Sequence, residues 1–404
     1  MGLGGMRRAV GTAWAGEALG RLPNLLLPAA VAWVWGASGL TDGLFLALAV
    51  AFFLYGSLGN ALTAVLTVRI VRGGGPVALG RIVPPAAAAA AVVGLAGTVP
   101  LARAGVPGSA WGGVWLAAMS FSSLLAACAA AERNATGRFF EVGASWGLRI
   151  VPIAWLVLAR PGPERGLTAL LAALAMADVT RAIWLMYRAR SRLAWRHGGS
   201  SMGGRQAVEL MVANAVSGLA PLVLRGGSAV AGPGAVTLYE LAERIYGTVC
   251  SAVSLGVGSV LLVHFSARAE RHLFWLRPAA AAAVVGALLW AGAWLAMAVF
   301  GTSVAEAGAG VDVASLERVT LWLFAGAPAF MAILVLSRAL VGARLTAPMP
   351  WLALAGVVVA GLGAVALVPG QGIAGAGMAY ALSQYGVAAL MVWRLAAAEG
   401  RRRQ

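Results

Sequence analysis

The sequence predicts an all-α polytopic membrane protein: about twelve transmembrane helices in two six-helix lobes related by a parallel pseudo-two-fold repeat, both termini cytoplasmic. Three observations predict it. Of 404 residues, 61% are hydrophobic and 11% charged, whereas soluble domains carry roughly 25% charge; mean hydropathy is +0.85. Apolar runs recur at the interval expected of a spanning helix of about 20 residues plus a connection. Arginine is distributed unequally between alternate connections, which is the usual topology signal.

The twelve spans run 11–36, 43–68, 82–102, 110–131, 139–160, 166–187, 206–225, 235–263, 278–300, 317–341, 349–369 and 372–394. Internal polar groups make the first, sixth, seventh and eighth the less apolar ones. With the N-terminus inside, the inner connections and termini hold 21 arginines and the outer connections five: Arg103, Arg160, Arg165, Arg225 and Arg318. Arg21, Arg149, Arg181 and Arg244 remain within spans. The long basic connection Arg188–Arg205 divides the chain into a lobe at 1–190, a flexible cytoplasmic linker at 191–205 and a lobe at 206–404. A shift of 191 residues lays the second span on the eighth, pairing Gly43 with Gly234, Tyr55 with Tyr246, Gly56 with Gly247 and Ala61 with Ala252. Two halves of six helices share one orientation, so the repeat axis lies along the membrane normal.

Composition also excludes. A net charge of +16 invites a nucleic-acid partner, but the arginines are scattered through short connections rather than gathered in a patch, so none is expected. Cys128 and Cys250 fall within spans and read as small buried hydrophobes. His197, His264 and His272 have no ligand spacing, so neither a metal nor another cofactor is expected. The start, MGLGGMRRAV followed by an apolar stretch, reads as a retained first helix rather than a leader. The Gly-rich segments at 73–75 and 198–204 lack the strand-to-helix context of a phosphate loop, and no catalytic motif points to an enzyme. A transporter, a channel or a membrane scaffold remains.

Charged groups at membrane depth carry the functional expectation, because each costs roughly 2.5–3.5 kcal/mol on insertion scales. Arg21 stands near the middle of the first span among Pro23 and Pro28, which remove backbone donors; it faces a cavity, or the helix starts at Leu22 and leaves it at the surface. Arg149 lies too deep in the fifth span to snorkel, and either binds substrate or pairs with a carboxylate. Asp178 and Arg181 in the sixth span are spaced for a local ion pair. Asn60 and Asn214 read as interhelical hydrogen bonders. In the eighth span Glu240, Glu243 and Arg244 share one helical face. Glu240 and Arg244 could neutralise each other with Glu243 facing water, or Arg244 could offer its fork to an anionic headgroup with a carboxylate holding it.

Several stretches resemble the MurJ/MviN-type lipid flippases of the multidrug/oligosaccharidyl-lipid/polysaccharide (MOP) exporter superfamily. They are GASGLTDGLFLAL (36–48), RNATGRFF (133–140), TLYELAERIYGTVCSAVSLGVGSVLL (237–262), LSRALVGARLTAPM (336–349) and VPGQGIAGAGMAYALS (368–383), in family order. The resemblance implies a V-shaped pair of six-helix lobes around a cationic cavity. It also implies alternating-access movement of lipid-linked saccharides driven by a coupling ion or membrane potential. It places the family's first-helix arginine on Arg21 and its acidic–arginine pair on Glu243 and Arg244. Two family positions do not carry over: the later first-helix arginine–aspartate becomes Leu27-Pro28, and the second-helix arginine falls near Tyr55. The chain also has fewer spans than the fourteen usual in that family.

The expected function is a flippase moving an anionic polyprenyl phosphate- or pyrophosphate-linked saccharide across the bacterial cytoplasmic membrane, for cell-envelope or surface polysaccharide assembly. Expected partners are the lipid-linked saccharide, membrane lipids, a coupling ion or the membrane potential, and envelope-biosynthesis glycosyltransferases. Arg21, Arg244, Glu243, Glu240, Arg149 and Tyr55 are the substrate candidates; Asp42, Asp178, Arg181 and Asn60 are candidates for gating or coupling. The alternatives are a cation-coupled multidrug exporter, using Asp178, Glu240 and Glu243, and a non-transporting scaffold.

Overall fold

A backbone with almost no water to bond must pair its own N–H and C=O groups, and helices do so within one segment. A computed structural model describes residues 3–71, 77–189, 193–194, 205–254, 274–307, 312–342 and 345–403. Helices α1 (Leu3–Trp35), α2 (Gly39–Leu54) and α3 (Asn60–Val71) come first, with one π-helical turn, Tyr55–Gly59, joining α2 to α3. Then follow α4 (Val83–Arg103), α5 (Ser109–Ala135), α6 (Phe139–Ala144), α7 (Ile150–Ala159), α8 (Pro163–Ala189) and α9 (Arg205–Ser217). The rest are α10 (Leu219–Ser228), α11 (Ala235–Ser254), α12 (Leu276–Ala307), α13 (Val313–Ala325), α14 (Ala327–Gly342), α15 (Met349–Gln371) and α16 (Ile373–Arg403).

Each expected span is helical wherever it is described; its eighth member is described only to Ser254. Among the described residues, seven helical runs are long and apolar enough to cross a membrane: α4, α5, the α6–α7 run, α8, α12, the α13–α14 run and α15. The sixth span, α8, qualifies while remaining among the least apolar of the seven, in keeping with its internal Asp178 and Arg181. The second falls short because its apolar part, Gly39–Leu54, ends at the π-turn. The twelfth is diluted by Gly, Tyr, Ser383 and Gln384. Helix α1 runs continuously through Pro23 and Pro28, so Arg21 stands inside a helix that starts well before Leu22.

The chain forms two compact units, Met1–Gly218 and Leu219–Gln404. This division falls after α9, not within 191–205, because α9 packs on the π-turn and α3. Of that linker only Leu193, Ala194 and Arg205 are described; Leu193–Ala194 pairs in parallel with Val77–Ala78. His197, His264 and His272 lie outside the described residues.

In the first unit α5 is the central post, its Ala126–Ala131 stretch buried on every side. Small residues let neighbours close on it: Ala182, Leu185 and Ala189 of α8 pack on Ala126 and Ala129. Thr63 and Thr67 of α3 donate hydroxyl bonds to the Ala127 and Ala131 carbonyls, 3.2 Å each. Helix α1 meets α6 backbone to backbone, since a Cβ on Gly143 would stand 2.6 Å from the Glu17 nitrogen and 2.8 Å from the Gly16 carbonyl oxygen. The core of the second unit gathers Trp275, Leu336, Ala339, Leu340, Leu352, Met391 and Leu395. Both cysteines are buried and free.

Candidate functional site

Each unit buries a cluster of charge that holds candidate residues. In the first, a 3₁₀ turn, Ser145–Arg149, joins α6 to α7. Three residues per turn stack Trp146 under Arg149, and the Arg149 guanidinium carbon lies 4.6 Å from the indole centroid and 5.0 Å from the Phe52 ring. The α8 helix faces this turn and delivers Asp178 and Arg181. The Arg149 fork closes on Asp178, with Nε–Oδ1 at 2.8 Å and Nη2–Oδ2 at 2.5 Å. Asn24 of α1 accepts a longer bond of 3.5 Å from Arg149.

The local pair expected between Asp178 and Arg181 is therefore not formed. Two parallel N–H bonds from one planar fork outbid a single contact along a helix. Arg181, 1% exposed, instead donates Nε to the Ser145 hydroxyl at 3.0 Å and lays its guanidinium 3.4 Å from the Trp146 centroid. Its two terminal nitrogens have no hydrogen-bond partner among the described residues. Tyr55, on the π-turn, meets Trp146 edge-on at 4.7 Å, and its own ring lies 5.8 Å from the Arg181 guanidinium. The cluster thus holds two arginines and one carboxylate around one indole.

The cluster in the second unit is balanced, with two arginines and two glutamates. Arg225 was expected in an outer connection, but it is buried in α10 and reaches two carboxylates of α11. It bonds Glu243 at 2.7 Å. It also stands 2.6 Å from Glu240, an ion pair by distance whose N–H is not aligned for a hydrogen bond. Glu240 accepts from Arg244 Nε at 2.7 Å. Glu243 is thus partnered rather than turned to water. A signal for Arg225 existed in the sequence: the eighth span alone has two glutamates and one arginine, which leaves one carboxylate seeking a cation. Below this cluster Tyr246 packs edge-on against Phe324 and Tyr380, at 5.3 and 5.4 Å, and shares a 3.2 Å hydroxyl contact with Tyr380.

No family model and no curated protein matches this chain. Solved structures do. A lipid II flippase MurJ structure in an inward closed conformation superposes with a TM-score of 0.72 at 12% identity, covering 95% of this chain and 86% of that one. An outward-facing multidrug resistance MATE transporter of the MOP superfamily gives 0.64 at 15% identity, covering 98% and 97%. The fold is that of the MOP-superfamily transporters. A third MOP structure, from Pyrococcus furiosus and described as having a binding pocket of reverse polarity, gives 0.64 at 13% identity, covering 97% and 95%. These three structures are of a flippase and two transporters.

Within the MOP fold the remaining candidates separate. Arg21 is half-exposed on α1 with Glu17 one turn away at 3.5 Å, far from bare. Asp42 is buried in the first turn of α2, behind a Ser38–Thr41 capping box. Asn60 is exposed and bonds the Gly56 carbonyl at 3.1 Å, so it serves the π-turn, whose altered ladder leaves that carbonyl available, rather than bridging helices. The repeat mates Tyr55 and Tyr246 each make edge-on aromatic contacts inside their own unit. Where the flippase resemblance puts an arginine near Tyr55, this chain brings Arg181 from α8 to the same ring. Among the described residues no group of acidic, His and Cys side chains could hold a metal.

Proposed function

We propose that this MOP-fold transporter moves an anionic lipid-linked saccharide, carried on a polyprenyl phosphate or pyrophosphate, across the bacterial cytoplasmic membrane by alternating access. The observation that supports the reading is the charge excess of the first unit's buried cluster: Arg149 and Arg181 share one carboxylate, and the terminal nitrogens of Arg181 are buried with no hydrogen-bond partner among the described residues. An unpaired buried guanidinium is costly. A phosphate reaching it in another step of the cycle offsets that cost with bidentate bonds, so the empty and loaded states differ in stability and the substrate can shift their populations. Arg149 occupies both oxygens of Asp178 and so leaves the Arg181 fork available. Arg225 and Arg244 supply a second cationic pair, oriented by Glu240 and Glu243.

The test is leaflet translocation of a polyprenyl-pyrophosphate-linked saccharide in proteoliposomes. Arg181→Gln, which breaks no ion pair, is expected to insert normally and to lose most of the transport. Wild-type transport in a correctly folded Arg181→Gln protein would overturn the reading. A second reading, cation-coupled export of small molecules, is favoured by the near-complete 97% coverage of a MATE chain and by the buried Glu240 and Glu243. Efflux of a cationic dye from the same vesicles, abolished by Glu240→Gln, would select it.

A further inference from the structure

On the cytoplasmic side of the second unit, the stretch Leu345–Pro348 before α15 and the end of α16 line a cavity of about 260 Å³. Leu340, Leu345, Pro348, Trp351, Arg394 and Ala398 line it. We infer that this cavity is a structural binding site for the phosphodiester headgroup of an anionic glycerophospholipid of the inner leaflet.

Three features converge on that ligand. Arg394 has no carboxylate within ion-pair distance among the described residues; its guanidinium carbon lies 4.9 Å from the Trp393 ring. The nearby Glu399 is engaged by the Trp275 indole N–H at 3.0 Å. The 23-residue α15 begins at this cavity, with Pro348 at the cap position; its Met349 amide bonds the Thr346 carbonyl and Pro350 has no N–H, so the helix start contributes the positive end of its dipole beside Arg394 and not a row of free amides. The cavity opens onto a surface suited to acyl chains: Trp351 is 70% exposed and Trp393 58%, and Leu354 and Val358 continue the exposed face of α15 toward the membrane centre. Tryptophan at the headgroup level with an arginine beside it is the pattern of an interfacial lipid contact. The volume is below the roughly 300–1,000 Å³ of sites for drug-sized ligands, which fits a headgroup and not a lipid-linked oligosaccharide. The site is therefore separate from the transport reading and does not rest on it.

Native mass spectrometry of the full chain in detergent tests the inference, with phosphatidylglycerol, phosphatidylcholine and inorganic phosphate as probes. Phosphatidylglycerol is expected to be retained about fivefold better than phosphatidylcholine, the scale of one arginine near a membrane surface. Arg394→Gln is expected to erase that preference. Trp351→Ala, at an exposed position that the fold does not need, is expected to weaken both lipids together. Unchanged phosphatidylglycerol binding by either variant would overturn the site. Inorganic phosphate binding as tightly as the lipid would show a free-anion site and overturn the lipid assignment.

Discussion

Removing Asp178 and removing Arg149 break the same ion pair, yet the structure predicts unequal costs. Asp178→Asn leaves Arg149 and Arg181, both buried, with no carboxylate between them. Loss of one partner from a buried pair costs about 3–5 kcal/mol; the asparagine carbonyl still accepts one bond, which places this variant near about 3 kcal/mol. Arg149→Gln leaves Asp178 one helical turn from Arg181, whose terminal nitrogens have no partner among the described residues. A rotamer change then forms the i, i+3 pair that the wild type forgoes, and one charge-assisted bond returns about 1.5–3 kcal/mol. The net cost of Arg149→Gln is then about 1–2 kcal/mol. Unfolding in mixed detergent followed by circular dichroism measures both variants and the double mutant. Equal costs, or a larger cost for Arg149→Gln, would refute the view that Arg181 is the uncompensated charge.

Two further predictions concern stability alone. Gly143→Ala pushes a methyl group into the α1 backbone at Gly16 and Glu17, and overpacking of this kind costs about 1–3 kcal/mol, read as a lowered melting temperature. Asp312 caps α13 by accepting from the Ser315 amide at 3.1 Å. Its bonds to the Ser315 hydroxyl and amide hold its pKa below the usual value of 3.8. A lowered carboxyl pKa stabilises the fold above the unfolded value, and that contribution is lost as pH falls through the folded value. Asp312→Ala is therefore expected to cost about 1 kcal/mol near pH 7, with the gap from wild type closing in melts taken below pH 3.8.

The fold was legible because lipid reduces it to period and length: twelve apolar runs and an arginine bias place helices without any knowledge of packing. The charge clusters were legible only in part. Spacing along one helix revealed the Glu240–Arg244 pair, which lies within α11. It misassigned Asp178, because the competing partner, Arg149, comes from a different helix at a distance of 29 residues. Arg225 was lost to the topology count, since an arginine at the end of a span looks the same whether it turns to water or back toward α11. The 3₁₀ turn that stacks Trp146 under Arg149 leaves no local sequence signal, as it depends on how α6 meets α1 through Gly16 and Gly143.

The π-turn at Tyr55–Gly59 lets the second span hold one extra residue without losing phase. A π-turn absorbs that residue within the helix, so deleting one residue there would restore the α-helical ladder and keep everything after it on its present face. Thr63 and Thr67 would still meet the Ala127 and Ala131 carbonyls that they now bond, while Tyr55, which the widened turn carries, would shift from its edge-on place at Trp146. The extra residue thus serves the turn and not the helix that follows it. In natural variants, a one-residue gap between positions 55 and 59 is expected to travel with an altered residue at 146, while 63 and 67 stay as they are.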